Sequence, residues 1–342
     1  MKAIIFHQRG GLENLKYEDV TTPEIGSNDA LIKMRACGLN HLDIFTREGS
    51  HGVHAPLPHI GGLEVAGEIA QVGNAVQEWR VGERVLIGPA IVCGECEYCL
   101  SGYDNICPRR KVIGVHVDGG FAEYIRAPAK ILLRIPNSLS FVDAAASLTS
   151  FGTAWHMLVT RAQLKKDEWV LILAAGSSIG VAAIQIAKEL GARVIATAST
   201  EEKLAKAKEL GADFGVNYAR ENFQHAVMRI TKNRGVDVVF EHVGTTTWEK
   251  SIASLRPTGR LVTCGSTTGR WGKTDIWSIF FKHISILGSY AANSAELRAV
   301  LEFVAQKKFR PIIDRTFPLA QTADAQKYLM ERKQFGKVLV VD

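Results

Sequence analysis

Residues 169–203 leave this chain the fewest alternatives. Trp169-Val170-Leu171-Ile172-Leu173-Ala174 is a short apolar run rich in branched side chains, as a strand buried on both faces would be. A small-residue turn at 175–180 follows, then a helical pattern over 181–190, stopped by Gly191 where a left-handed cap is expected. A second strand, Arg193–Ala198, completes a βαβ unit. In such a unit the turn backbone can press against a pyrophosphate, and the helix start offers it free N–H groups and partial positive charge. Gly176, Ser177, Ser178, Ile179 and Gly180 are the candidate contacts, a degenerate G-x-G-x-x-G with Ala175 and Ser177 at its first two glycine positions. Residues 176–180 also satisfy G-x-S-x-G, the nucleophile turn of serine hydrolases, with Ser178 as nucleophile. A plain strand–helix turn is the third reading.

Composition sets wider bounds. A chain of 342 residues suggests two domains and can bury a large core. Its 46% apolar and 22% charged fractions are those of a soluble globular protein. The net charge of +6 comes without a long Lys/Arg run, so neither nucleic acid nor a membrane is expected as a partner. The N-terminus turns polar at His7 and no apolar run is long enough to span a bilayer, which makes a cytoplasmic location the expectation. Residues 1–150 read mainly as short strands, at Lys2–Phe6, 30–36, 65–72 and 83–87, punctuated by glycines. That pattern suggests a small, partly open barrel. It also counts against a hydrolase, whose nucleophile turn needs parallel βα units before it.

Cys93-x-x-Cys96-x-x-Cys99, then seven residues to Cys107, gathers four of the six cysteines into fifteen positions. In a reducing compartment this reads as a metal site rather than disulfides. Four thiolates complete a tetrahedral zinc ion and leave no open position, so such a site is structural. An iron–sulfur cluster is the alternative, though the long final spacer does not suit it. Cys37 and Cys264 are left over and read as buried small residues.

A β-rich half, a four-cysteine lobe and a βαβ unit, in that order, resemble the medium-chain dehydrogenase/reductase superfamily over essentially the whole chain. The most specific marks are the lobe, Gly62-Leu63-Glu64-Val65-Ala66-Gly67, and the terminal Phe335-Gly336-Lys337-Val338-Leu339-Val340. The resemblance implies an α/β protein: a Rossmann doubly wound parallel sheet domain plus a GroES-like β-rich catalytic domain. It places the catalytic domain at 1–151, with the zinc lobe at 90–110, the Rossmann domain at 152–291, and a C-terminal segment at 292–342 that returns to complete the first.

Zinc alcohol dehydrogenases of this superfamily carry catalytic ligands at positions that correspond here to Asn40, Leu63 and Thr149, while Glu64 of their G-H-E motif remains. Their proton-relay hydroxyl and histidine correspond to Leu42 and Phe45. Asn, Leu and Thr cannot build a thiolate/imidazole site, so one structural zinc and no catalytic zinc is expected, as in quinone oxidoreductases. Without a Lewis acid the developing alkoxide must be held by hydrogen-bond donors, each worth about 3 kcal/mol. The candidate catalytic residues are Asn40, His41, Thr149 and Glu64, with Tyr290 and His156 as further donors. For His41 the resemblance implies contact with the cofactor phosphates, and a capping or surface histidine is the plainer alternative. Asp43 reads as a loop anchor, and Glu64 as either an orderer of the site or an ion-pair partner.

Cofactor choice is read at the end of the second Rossmann strand, where an NAD enzyme places a carboxylate on the ribose diol. Ala198 stands there, followed by Ser199, Thr200 and Lys203, which could hold a 2′-phosphate. By resemblance Tyr218 helps hold that phosphate. Alternatively, Ser199-x-x-Glu202 is only a capping box and Lys203 a solvated side chain. Strands at 236–240 and 260–264 extend the sheet to an expected six strands. By family position Val243, Cys264, Gly265, Ser266, Leu287, Gly288 and Ser289 line the nicotinamide, and Thr153 and Lys337 contact the cofactor. The aromatic stretch 271–281 suits a pocket wall or an oligomer contact.

The expectation is an NADP(H)-dependent alcohol dehydrogenase or carbonyl reductase acting on a small ketone, aldehyde or alcohol, as a homodimer or homotetramer. The alternatives are a quinone or enone reductase, a non-catalytic NADPH-binding protein, and a serine hydrolase whose acid and histidine would be Asp237 and His283.

Overall fold

Ile32, Met34 and Ala36 are fully buried because their strand, Asp29–Gly38, has partners along both edges. In the computed structural model, which describes residues 1–342, the chain divides into two units: Met1–Thr149 with Asn293–Asp342, and Ser150–Ala292.

The first unit is built on a seven-stranded sheet in the order Leu132–Arg134, Arg84–Ile87, Glu64–Val72, Asp29–Gly38, Lys337–Val341, Ile313–Pro318, with Tyr124–Pro128 also paired to Asp29–Gly38. Neighbours run antiparallel except the last pair. The C-terminal strand is thus the direct neighbour of Asp29–Gly38. Ile32, Met34, Val65, Ile69, Val85, Ile87, Phe121 and Val340 form the core. A smaller sheet pairs Lys2–Phe6 with Lys16–Asp19 and His59–Ile60.

One register decides the site. Gly38 lies directly across from Glu64 on one neighbouring strand and from Leu339 on the other. The polar Lys33 and Arg35 break the apolar run in this strand, yet the ladder continues through Cys37 and Gly38, two residues beyond the expected end. The chain then turns at Asn40 into the helix His41–Glu48.

The second unit holds six parallel strands in the order Phe214–Asn217, Arg193–Ala198, Trp169–Ile172, Val236–Glu241, Leu255–Thr263, Ser285–Gly288. This is the doubly wound order expected, with Leu171, Ile195, Val239 and Leu261 at its core. Three local expectations are corrected. The helix expected over 181–190 begins earlier, as Ser178–Glu189, because the Ser177 hydroxyl accepts the Gly180 N–H at 3.0 Å and caps it. The next helix, Glu201–Glu209, is capped by Thr200 rather than Ser199, with the Lys203 N–H on Thr200 Oγ1 at 3.2 Å. The strand expected at 260–264 starts at Leu255 and ends at Thr263, its first half masked in the sequence by Pro257 and Gly259 and interrupted in the structure by a positive φ at Thr258. Gly191 does take the left-handed conformation, φ 74°. No helix is long and apolar enough to cross a membrane.

Candidate active site and cysteine lobe

In the first unit Asn40, Asp43, Glu64, Thr149 and Lys337 converge behind Gly38. Asp43, on the first turn of His41–Glu48, accepts the Asn40 N–H at 2.7 Å with one carboxylate oxygen and the Gly62 N–H at 3.2 Å with the other. It is 4% exposed, and burial raises its pKa from 3.8 to about 7. Asp43 therefore fixes the backbone that presents Asn40, the anchoring role expected of it.

Lys337 is only 1% exposed, as is Glu64, and the two form a buried ion pair between Nζ and Oε2. The lysine stem crosses Gly38: a Cβ there would stand 2.7 Å from Lys337 Cε and collide with the Glu64 carboxylate. The other Glu64 oxygen accepts the Thr149 N–H at 3.0 Å, and Lys337 Nζ donates to Asn40 Oδ1 at 2.9 Å. Two groups of this cluster are left over. Asn40 Nδ2 and Thr149 Oγ1 are buried and have no partner, which makes them open hydrogen-bonding positions on groups otherwise fixed. His41 opens the helix with its ring tilted against Phe45, centroids 6.3 Å apart.

The pairing of Lys337 with Glu64 was not legible in the sequence, which offered Lys337 only as a cofactor contact. These residues do not suit a zinc ion. Leu63 is a buried alkyl side chain, Asn40 and Thr149 are neutral, Glu64 is committed to an ammonium, and both Asp43 oxygens accept backbone N–H groups. Cys37 is fully buried and burial pushes its thiol pKa well up, so it is inert, as expected of a core cysteine. Cys264, by contrast, is only partly buried, just beyond the end of Leu255–Thr263.

The four remaining cysteines come together. Cys93, Cys96, Cys99 and Cys107 place their sulfurs within 4.8 Å of one another. The Cys93–Cys99 separation is 3.7 Å, Cys96–Cys107 3.9 Å and Cys107–Cys93 3.6 Å. A regular tetrahedron with zinc–sulfur bonds of about 2.3 Å has edges of about 3.8 Å. The set fits zinc. The backbone N–H groups of Glu95 and Cys96 turn toward Cys93 and draw its thiol pKa down to about 6, whereas desolvation pushes that of Cys99 up to about 12, so the fit to zinc rests on the sulfur geometry.

In the second unit Gly180 belongs to the first turn of Ser178–Glu189, where a Cβ would stand 2.6 Å from the Ala174 carbonyl oxygen and 2.9 Å from Ala175 Cα. The Gly180 and Val181 N–H groups turn back onto Ser177, so those of Ser178 and Ile179 head the helix without intrahelical partners. That is a cradle for an anion at the end of the first strand. Ser199 and Tyr218 leave adjacent strand ends, with the Tyr218 N–H on the Ala198 carbonyl at 3.1 Å. The nearby Glu201 carboxylate is engaged by Asn217 Nδ2 at 2.7 Å and by Arg220 at 3.3 Å. Arg220 drew no notice in the sequence, where nothing distinguishes it from other exposed arginines. Ser289 Oγ is buried and unpartnered beside the strand ends, and Thr153 is 8% exposed. Glu241 likewise carries no signal in the sequence that sets it apart. Fully buried, it accepts the Val243 and Gly244 N–H groups and the Thr247 and Ser251 hydroxyls, fixing the turn that carries Val243.

The hydrolase arrangement fails on geometry. Asp237 accepts the Trp169 N–H and pairs with Arg234 and Arg256 at the start of strand Trp169–Ile172, whereas Ser178 follows that strand's end.

Residues 26–137 match the alcohol dehydrogenase GroES-like domain family, and residues 178–306 the zinc-binding dehydrogenase family. The chain is 34% identical to an alcohol dehydrogenase of Geobacillus stearothermophilus, covering 99% of both proteins. It is 30% identical to an NAD-dependent alcohol dehydrogenase of Sulfolobus acidocaldarius, covering 98% of each. A crystal structure of an NAD-dependent alcohol dehydrogenase superposes with a TM-score of 0.95 at 40% identity, covering 100% of both chains.

Proposed function

This chain belongs to the medium-chain dehydrogenase/reductase superfamily, and from that premise we propose an NADP(H)-dependent carbonyl reductase and alcohol dehydrogenase that works without a catalytic zinc. It is an alcohol dehydrogenase-like oxidoreductase; the cofactor, the substrates and the metal-free chemistry are the parts proposed. The observation that carries the reading is the pair of buried, unpartnered donors, Asn40 Nδ2 and Thr149 Oγ1, on a cluster fixed by Glu64, Asp43 and Lys337.

The bound reduced nicotinamide supplies the hydride. Asn40 and Thr149 donate to the carbonyl oxygen of the substrate and stabilise the alkoxide that develops there, each donor contributing about 3 kcal/mol. Water or His41 then returns the proton that converts alkoxide to alcohol. Neutral donors stabilise an alkoxide less than a coordinated metal does, so the substrates proposed are ketones, aldehydes or quinones whose reduction by the reduced cofactor runs downhill near neutral pH.

Gly176, Ser177, Ser178, Ile179 and Gly180 are assigned to the pyrophosphate, and Thr153, Val243, Cys264, Gly265, Ser266, Leu287, Gly288 and Ser289 to the nicotinamide half. Ser199, Thr200, Lys203 and Tyr218 are assigned to the 2′-phosphate. The absence of a carboxylate at Ala198 and the engagement of Glu201 by Arg220 support this choice, although the relatives named above include NAD-dependent enzymes. Lys337 is assigned to the Asn40–Glu64 cluster in place of a cofactor contact. One structural zinc on Cys93, Cys96, Cys99 and Cys107 completes the reading. Six free cysteines support a reducing compartment such as the cytoplasm. Exposed Ile276, Trp277, Phe280 and Phe281 on one helix, beside the edge strand Ser285–Gly288, support a homo-oligomer.

The test is turnover of NADPH and NADH against a panel of aldehydes, ketones, enones and quinones. Oxidation of NADPH by simple carbonyls supports the proposal, and activity with quinones or enones alone favours the alternative. Complete silence with tight NADPH binding leaves a binding protein.

A further inference from the structure

Asn40 carries one step beyond that reading, on which the step rests. An ammonium group is a donor only. The Asn40 atom 2.9 Å from Lys337 Nζ must therefore be the carbonyl oxygen, and the amide's other end must be the nitrogen, buried and unpartnered. An asparagine side chain without such a neighbour can turn over and exchange donor for acceptor. We propose that Lys337 is a positioning residue: its ammonium clamps the Asn40 amide so that only Nδ2 is offered to the substrate oxygen.

The surrounding structure is arranged to hold this clamp. Glu64 fixes the ammonium from the opposite side and is itself held by the Thr149 N–H. Asp43 fixes the Asn40 backbone, and Lys337 Nζ holds the amide oxygen at 2.9 Å. The missing side chain at Gly38 is what allows a lysine two residues from Leu339 to reach across the strand. The positive charge at Oδ1 also polarises the amide and strengthens Nδ2 as a donor in this buried setting. An amide turned the other way would set Oδ1 against the substrate oxygen, replacing attraction with repulsion.

Removing Lys337 alone would leave Glu64 buried and unpaired, so the test uses Glu64→Gln as the reference background, in which the glutamine amide oxygen still accepts from the Lys337 ammonium. Steady-state reduction of a simple aldehyde or ketone by NADPH is compared in Glu64→Gln and in Glu64→Gln/Lys337→Met, each with and without Asn40→Ala, alongside thermal melting. We expect Lys337→Met to lower kcat about tenfold or more with KM for NADPH unchanged. Asn40→Ala should lower kcat about a hundredfold when Lys337 is present and clearly less when it is absent, because the two residues act as one unit. Lys337→Arg, which keeps a donor-only cation, should restore most of kcat if it folds.

Equal losses from Asn40→Ala in both backgrounds would overturn the clamp, as would a folded Lys337→Met variant with unchanged kcat. An unmodified protein that reduces no carbonyl refutes the proposed function instead, and that result is visible before any variant is made.

Discussion

Gly38→Ala tests the packing on which the candidate site depends. Gly38 lies in extended strand backbone, so alanine there meets no conformational strain and reports contacts alone. The added methyl would collide with the Glu64 carboxylate, stand 2.7 Å from Lys337 Cε, and lie 3.3 Å from the Ala145 carbonyl oxygen. Overpacking of a dense interior costs about 1–3 kcal/mol, and disruption of a buried ion pair about 3–5 kcal/mol. Both side chains are buried at this point, and a loss of about 3 kcal/mol is expected, where the two ranges meet. In a unit of about 200 residues this lowers Tm by about 6–12 °C. Calorimetric melting measures it, with Gly288→Ala as the control, since a Cβ at 288 meets nothing within 4 Å. A Gly38→Ala protein melting within about 2 °C of the unmodified chain would refute the crossing of Lys337 over Gly38 and the site built on it.

Elemental analysis should find one zinc per chain, and Cys107→Ser should lose it and lower Tm; two zincs would contradict the metal-free site, and iron with visible absorption would replace zinc by a cluster. Ala198→Asp should raise KM for NADPH about tenfold or more while sparing NADH, through repulsion of the 2′-phosphate, and equal effects on both would argue against the assignment of Ser199 and Lys203. Asp43, with a folded-state pKa raised to about 7, contributes stability that is present below about pH 4 and lost as pH rises through 7. Melting of Asp43→Asn should therefore gain on that of the unmodified chain between about pH 4 and 8; parallel curves would show that the carboxylate is ionised throughout.

How much of this was legible in the sequence follows from the distance over which each pattern acts. Parallel strands buried on both faces read directly as apolar runs, and the six-stranded order came out as expected. The cysteine lobe was equally plain, because its four ligands lie close together in the chain. A single hydroxyl decided what the pattern did not: Ser177 set the helix start earlier than expected, and Thr200 took the cap expected of Ser199 on a helix that starts at Glu201 as anticipated. The strand at Leu255–Thr263 was half hidden because proline and glycine read as turn residues, and the ladders to both neighbouring strands do skip residues 256–259. Glu64 reads in the sequence as one of two things, an orderer of the site or an ion-pair partner, but nothing local names Lys337 as that partner. The two stand on separate strands that become neighbours of Gly38 only after the C-terminal segment has docked, and the cue that could have pointed to the pair was a glycine where a strand should carry a side chain.

The same register explains why a change of ligands need not empty a site of charge. A zinc ion is held by groups that offer lone pairs, and so is an ammonium. Glu64 Oε2 and Asn40 Oδ1 are two such acceptors, and both face Lys337 Nζ. On the proposed reading the cluster keeps one positive charge, but carries it on a side chain that cannot coordinate the substrate. Its influence reaches the substrate only through the Asn40 amide, as a fixed dipole rather than a Lewis acid. Such a dipole steadies the alkoxide whether it arises by hydride addition or by loss of a proton from the alcohol, because both directions share one transition state. On this reading the acceptors that surround the cation set how strongly the alkoxide is stabilised, in either direction of the reaction, and one means of stabilising it replaces another without a change of fold.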